Sequence, residues 1–226
     1  MPIYNAQILK IDPVETRRYA GLRNAKNFDE QSIIDACEDA RLLIEVRGIW
    51  KMYDYESITQ KILSDPPVII DGKSIGKHLD ACDKVICLAA TIGEKIENEV
   101  TRRFKIGEYV SSMLLDAAAT TAVEQVADTM ENAINQEVSK QGYKMRWRFS
   151  PGYGDCPLTQ QPELFRLAGA EEIDMKLSSA MMMIPRKSIT AIIGLVKNTT
   201  TDQKNSSKHT HDCKTCDKID CPNRKN

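Results

Sequence analysis

The chain's most reactive-looking stretch is Arg148-Phe149-Ser150-Pro151-Gly152-Tyr153-Gly154-Asp155-Cys156-Pro157. Here an arginine is delivered to the end of a strand-like run and followed at once by a Pro-Gly bend. Glycines in such a bend leave backbone amides and carbonyls uncovered. The planar guanidinium fork can take a carboxylate through two parallel bonds, each charge-assisted bond contributing about 1.5–3 kcal/mol. An equally physical alternative is a structural turn whose Arg148 pairs with Asp155 or with a carboxylate on a helix. The second concentration of chemistry is Cys213, Cys216 and Cys221, in a Cys-x2-Cys-x4-Cys spacing with His209 and His211 just upstream. Three thiolates so placed can reach one metal centre, with His211 or His209 as a fourth ligand. Thiolate ligands suit zinc and an iron–sulfur cluster alike; the alternative is a polar tail with free thiols. Cys156 is a further candidate ligand should the tail fold back, whereas Cys37, Cys82 and Cys87 sit in apolar contexts and read as core residues.

Positioning these groups calls for a mixed α+β framework. Asp29 can cap a helix over 29–45, with Ile33, Ala36, Cys37, Ala40 and Ile44 near helical spacing. An aromatic-rich strand follows over 46–55, then a short strand at 68–70 and a brief helix capped by Ser74. Residues 84–91 form an apolar strand. Two helices come next: one carries Ile92, Ile96, Val100 and Phe104 at fourfold spacing, and the other is Ala-rich, over 108–140. Over 144–149, Met145, Trp147 and Phe149 alternate with Lys144, Arg146 and Arg148, which predicts a half-buried strand with the three apolar residues on one face. A short helix over 162–168 and a closing hairpin with arms 179–184 and 189–196 complete the body, with Met181, Met182 and Met183 packed in a strand and His78 capping or facing solvent. The fold class expected is α+β, an antiparallel sheet flanked by helices.

The 226 residues carry 31 Lys+Arg against 32 Asp+Glu, a net charge of −1. That balance argues against electrostatic nucleic-acid binding, and 6% aromatics argue against base-stacking platforms. No apolar run approaches the length of a membrane span, and the N-terminal residues lack a secretory pattern. Seven cysteines, three of them crowded near the end, suggest reduced thiols with a metal site in a cytoplasmic protein. Residues 1–197 form the expected body. Residues 198–226 are too polar for a packed core and are expected to be disordered unless tied down.

The Arg-x-x-Pro-Gly-Tyr run, with Cys156-Pro157 shortly after it, resembles the signature loop of the activation (S-adenosylmethionine-binding) domain of vitamin B12-dependent methionine synthase. The family's loop reads Arg-Pro-Ala-Pro-Gly-Tyr-Pro, so this chain departs from it at Phe149, Ser150 and Gly154. The run Met175-Lys176-Leu177 through Pro185 is similar to the family's Met-Lys-Leu…Trp-Pro segment. The Ala-rich stretch from Leu115 resembles the family's long helix, with Glu124 at the position of a ligand-contacting glutamate. The likeness spans about residues 102–195. Two family features are not evident: a tyrosine beyond the final hairpin, since the last tyrosine here is Tyr153, and an aspartate near the domain start, which neither Asp12 nor Asp29 matches in context.

The resemblance implies an accessory role in reductive methylation, which returns a stalled cob(II)alamin to methylcobalamin. S-adenosylmethionine supplies the methyl group and a flavodoxin-like or ferredoxin-like protein the electron. It implies that Arg148 holds the methionine carboxylate and Glu124 a cationic or hydroxyl group of the ligand. The backbone of Ser150, Pro151 and Gly152 would line the adenosine and the Tyr153 ring would face the sulfonium. None of the three histidines sits in an Asp-x-His-x-x-Gly cobalt-ligating motif, so the cobalamin would reside on a partner, a methionine synthase or another corrinoid methyltransferase. A metal-dependent interaction protein that binds no S-adenosylmethionine is the alternative from a different class.

Overall fold

The computed structural model describes residues 3–5 and 7–198. In chain order the elements are α1 (Pro13–Tyr19), α2 (Glu30–Leu43), β1 (Arg47–Glu56), β2 (Lys61–Ile62), β3 (Val68–Ile69), α3 (Lys73–His78), β4 (Lys84–Thr91), α4 (Lys95–Lys105), α5 (Tyr109–Lys140), β5 (Tyr143–Met145), α6 (Gln161–Ala168), β6 (Lys176–Leu177), β7 (Met183–Ile184) and β8 (Ser188–Lys197). Six strands form one sheet in the order β3-β2-β1-β4-β8-β5, antiparallel at every pairing. The class is the α+β arrangement expected from the sequence.

β4 lies at the middle of the sheet, and seven of its eight residues are buried, because both faces are covered. Successive side chains of a strand point to opposite faces. Ile86, Leu88 and Ala90 accordingly join one core, while Val85, Cys87 and Ala89 join the other. The first core packs α2, α5 and the start of the chain against the sheet; the second packs α3, α6 and the β6–β7 hairpin. The long α5 sits close on its face because it offers small residues there: Ala118, Ala119 and Ala122 are fully buried. The approach is tight enough that a Cβ on Gly48 of β1 would stand 2.4 Å from the Met130 sulfur.

Asp29 caps α2 as expected, its carboxylate accepting the Ser32 amide at 3.0 Å. α1 is not anticipated from periodicity, being only seven residues long, yet Asp12 before Pro13 is a proper start signal: its carboxylate accepts the Val14 amide at 2.8 Å. Two expectations are corrected. The closing hairpin does not form between 179–184 and 189–196. β7 pairs instead with β6, while β8 enters the main sheet between β4 and β5. The Met run does not lie along a strand: only Met183 does, and Met181 turns with φ +60°. Among the described residues, no helix is long and apolar enough to cross a membrane.

Candidate functional site

Arg148 reaches its place through a defect in the sheet edge. Tyr143, Lys144 and Met145 pair with Lys197, Val196 and Leu195, and the ladder resumes where Phe149 faces Ile192. Three residues, 146–148, therefore oppose two on β8, which is a β-bulge. One extra residue reverses which face each later side chain takes. Tyr143 and Met145 pack on the α5 side, whereas Trp147 and Phe149 pack on the α3 and α6 side. The strand with Met145, Trp147 and Phe149 on a single face is thus corrected, and the bulge turns Arg148 toward α5.

There Arg148 meets three carboxylates set on one face of α5 at spacings of four and three residues, as helical geometry allows. Nη2 donates to Glu124 Oε2 at 3.0 Å and Nη1 to Asp128 Oδ1 at 2.6 Å; Nη1 also bonds Glu131 Oε2. Glu131 accepts the Arg148 backbone N–H as well, at 3.0 Å. Burial opposes the arginine's charge, but Glu131, Asp128 and Glu124 together outweigh it and raise the guanidinium pKa above its ordinary value. Burial raises the Glu131 carboxyl despite the facing Arg148. Of the two structural pairings open for Arg148 on sequence grounds, the structure makes the helix one. Asp155 instead accepts the Lys73 and Ser74 amides at the start of α3, both at 2.8 Å.

The bend after Phe149 closes on itself. The Tyr153 amide donates to the Ser150 carbonyl at 3.1 Å and the Gly152 amide to the Cys156 carbonyl at 2.9 Å. Gly152 takes φ +90°, a conformation that side-chain-bearing residues rarely adopt. Ser150 Oγ anchors the bend to β8 by donating to the Thr190 carbonyl at 2.8 Å. Beside it opens a cavity of 280 Å³ lined by Glu124, Arg148, Ser150, Pro151 and Tyr153. Five of the six ligand residues expected from the sequence thus come together, whereas Gly152 shapes the bend without lining the cavity. Tyr153 is 42% exposed, and burial followed by the charge of Glu124 raises its hydroxyl pKa.

Residues outside the Arg148 loop and Glu124 complete the cavity wall. Met181, Met182 and Met183 form one side, and Leu158 and Gln161 another. Gln161 is buried and donates to Thr190 Oγ1 at 2.7 Å. Asp128 and Glu131 were legible in principle, standing four and seven positions after Glu124. From the far end of the chain Tyr19 comes into the electrostatic neighbourhood of Glu124 and Tyr153. The carboxylates of Asp12 and Asp29 are occupied in capping α1 and α2. His78 neither caps nor simply faces solvent: its Nε2 lies 2.7 Å from the Trp147 carbonyl, and its ring packs tilted against that of Trp147, with centroids 4.1 Å apart.

Cys37, Cys82 and Cys87 are buried in the cores as expected. Cys156 is buried too, and its thiol is pushed up to about 11, by burial first and then by Asp155. The tail ligands Cys213, Cys216, Cys221 and His211 lie outside the described residues. Among the described residues no group of three or more His, Cys, Asp or Glu is placed to hold a metal ion.

The fold and the cavity define an α+β domain whose cleft joins an arginine loop to an acidic helix face. The profile of the vitamin B12 dependent methionine synthase activation domain matches residues 74–201. This chain belongs to that family. A crystal structure of the MetH reactivation domain bound to AdoHcy shares the fold, with a TM-score of 0.60 and 12% identity over 88% of this chain and 80% of the other. Comparison with curated proteins returns no match.

Proposed function

We propose that this chain binds S-adenosylmethionine in the Arg148 cavity and serves as the accessory component that supports reductive methylation of cob(II)alamin on a partner methionine synthase. The observation that carries the reading is the pairing of Arg148 with Glu124 on a cavity walled by Ser150, Pro151 and Tyr153, in a chain of the activation-domain family. The AdoHcy bound to the structurally similar reactivation domain is of the same ligand class. The ligand supplies an activated methyl group; the residues here bind and orient it. Arg148 takes the amino-acid carboxylate, and Glu124 balances the ligand's positive charge. Asp128 is 63% exposed at its side chain, so it is the arginine partner that a ligand carboxylate displaces at least cost. An aromatic face close to a sulfonium contributes about 0.5–2 kcal/mol, the role assigned to Tyr153.

Calorimetric titration of the full chain with S-adenosylmethionine tests this directly. One-site binding is the expected result, and no heat at millimolar ligand would refute it. Titration repeated with candidate corrinoid proteins separates a methionine synthase partner from another corrinoid methyltransferase.

The tail belongs to the same proposal: Cys213, Cys216, Cys221 and His211 hold zinc or an iron–sulfur cluster, the latter placing a reductant near the partner's cobalt alongside a flavodoxin-like or ferredoxin-like donor. Elemental and sulfide analysis of chain purified without oxygen is expected to show a stoichiometric metal. Zinc without iron would remove the electron-transfer role.

A further inference from the structure

The peptide between Trp147 and Arg148 sits in the bulge, and side chains hold both of its polar ends. Its carbonyl faces Nε2 of His78 at 2.7 Å, and its N–H donates to Oε1 of Glu131 at 3.0 Å. A carbonyl can only accept, so Nε2 carries the proton. The two holders come from opposite faces of the sheet: Glu131 from α5, His78 from the end of α3. The His78 ring also lies 4.1 Å from the Trp147 ring and 5.6 Å from that of Phe149, the residues on either side of Arg148. The other end of α3 grips the same loop, since Asp155 takes its first two amides.

We infer that His78 is a positioning residue for Arg148, fixing the bulged peptide so that the guanidinium points into the ligand cavity. This rests on the S-adenosylmethionine reading of the cavity. His78 touches no ligand; it acts through the Trp147 carbonyl. Without its donor, that carbonyl must find another partner or remain unsatisfied, and the peptide can rotate back toward the sheet ladder. Arg148 would then lose its fixed aim while the core stays intact.

The test uses the full chain with two substitutions. His78→Phe keeps an aromatic ring against Trp147 and removes the donor, whereas His78→Gln offers a side-chain N–H at similar reach. Titration with S-adenosylmethionine is expected to show affinity about tenfold weaker for His78→Phe, the scale of one lost hydrogen bond. His78→Gln should stay within about threefold of the parent, and amide protection in β4 should be the same in all three proteins. Parent-like affinity of His78→Phe, or an equal fall in both variants, overturns the inference. If His78→Phe loses β4 protection, His78→Gln decides alone, a tenfold fall overturning the inference and near-parent affinity supporting it. Failure of the parent chain to bind S-adenosylmethionine refutes the functional reading instead. Hydrogen exchange at the Arg148 amide then decides the positioning role: about tenfold faster exchange in His78→Phe but not in His78→Gln supports it, and equal rates in all three overturn it.

Discussion

Arg148→Ala is expected to lower S-adenosylmethionine affinity by at least ~100-fold in calorimetry. Two charge-assisted bonds to a ligand carboxylate contribute about 3–6 kcal/mol together, and tenfold corresponds to about 1.4 kcal/mol. The same change removes the only cation bonded to Glu131 among the ion pairs described. Arg148 and Glu131 are each 19% exposed at the side chain, so the pair is part-buried, and breaking it costs less than the roughly 3–5 kcal/mol of a fully buried pair. The variant should therefore also melt lower.

The pH dependence of that loss has a definite sign. Burial already raises Glu131, and Arg148 is the charge that pulls it back. Without the arginine, the folded-state pKa climbs further above the unfolded value. A carboxyl whose pKa is raised by folding stabilises the fold at low pH and loses that contribution as pH rises through the folded pKa. The gap in melting temperature between Arg148→Ala and the parent should thus widen from pH 5 to pH 8. Arg148→Lys should recover part of the stability and little of the affinity, because an ammonium cannot reproduce the planar fork. Ligand affinity within threefold of the parent in Arg148→Ala would exclude the arginine from the site.

The second large effect lies in packing. Ala118→Leu is expected to lower the melting temperature by about 2–12 °C, since overpacking typically costs about 1–3 kcal/mol and each kcal/mol moves a domain of this size about 2–4 °C. Ala118 is fully buried in the core between α5 and the sheet, together with Ile86, Leu88, Ala191 and Ile193. The added methylenes must push α5 off the sheet or force neighbouring rotamers. Because α5 also carries Glu124, Asp128 and Glu131, ligand affinity should fall along with stability. A melting temperature unchanged within 2 °C would show that the small-residue face is not what sets the approach of α5.

Local patterns alone are enough to place much of this molecule. The buried run of β4, the capped α2 and the small-residue face of α5 follow from apolar spacing and start signals within a few neighbouring residues. The loop from Arg148 to Tyr153 and the distant Glu124 were legible through a family likeness. The bulge at residues 146–148 was not: an extra residue shows only against the register of β8, some fifty positions away, and single-strand alternation therefore put Trp147 and Phe149 on the wrong face. The turn at Met181 and the pairing of β7 with β6 likewise depend on which strands β8 leaves free. Nor could sequence choose between Asp155 and a helix carboxylate as the partner of Arg148, because both carry the same charge and only the packed fold sets their distances. Local spacing determines which residues can do chemistry; strand register, a property of two chain segments at once, decides which way they face.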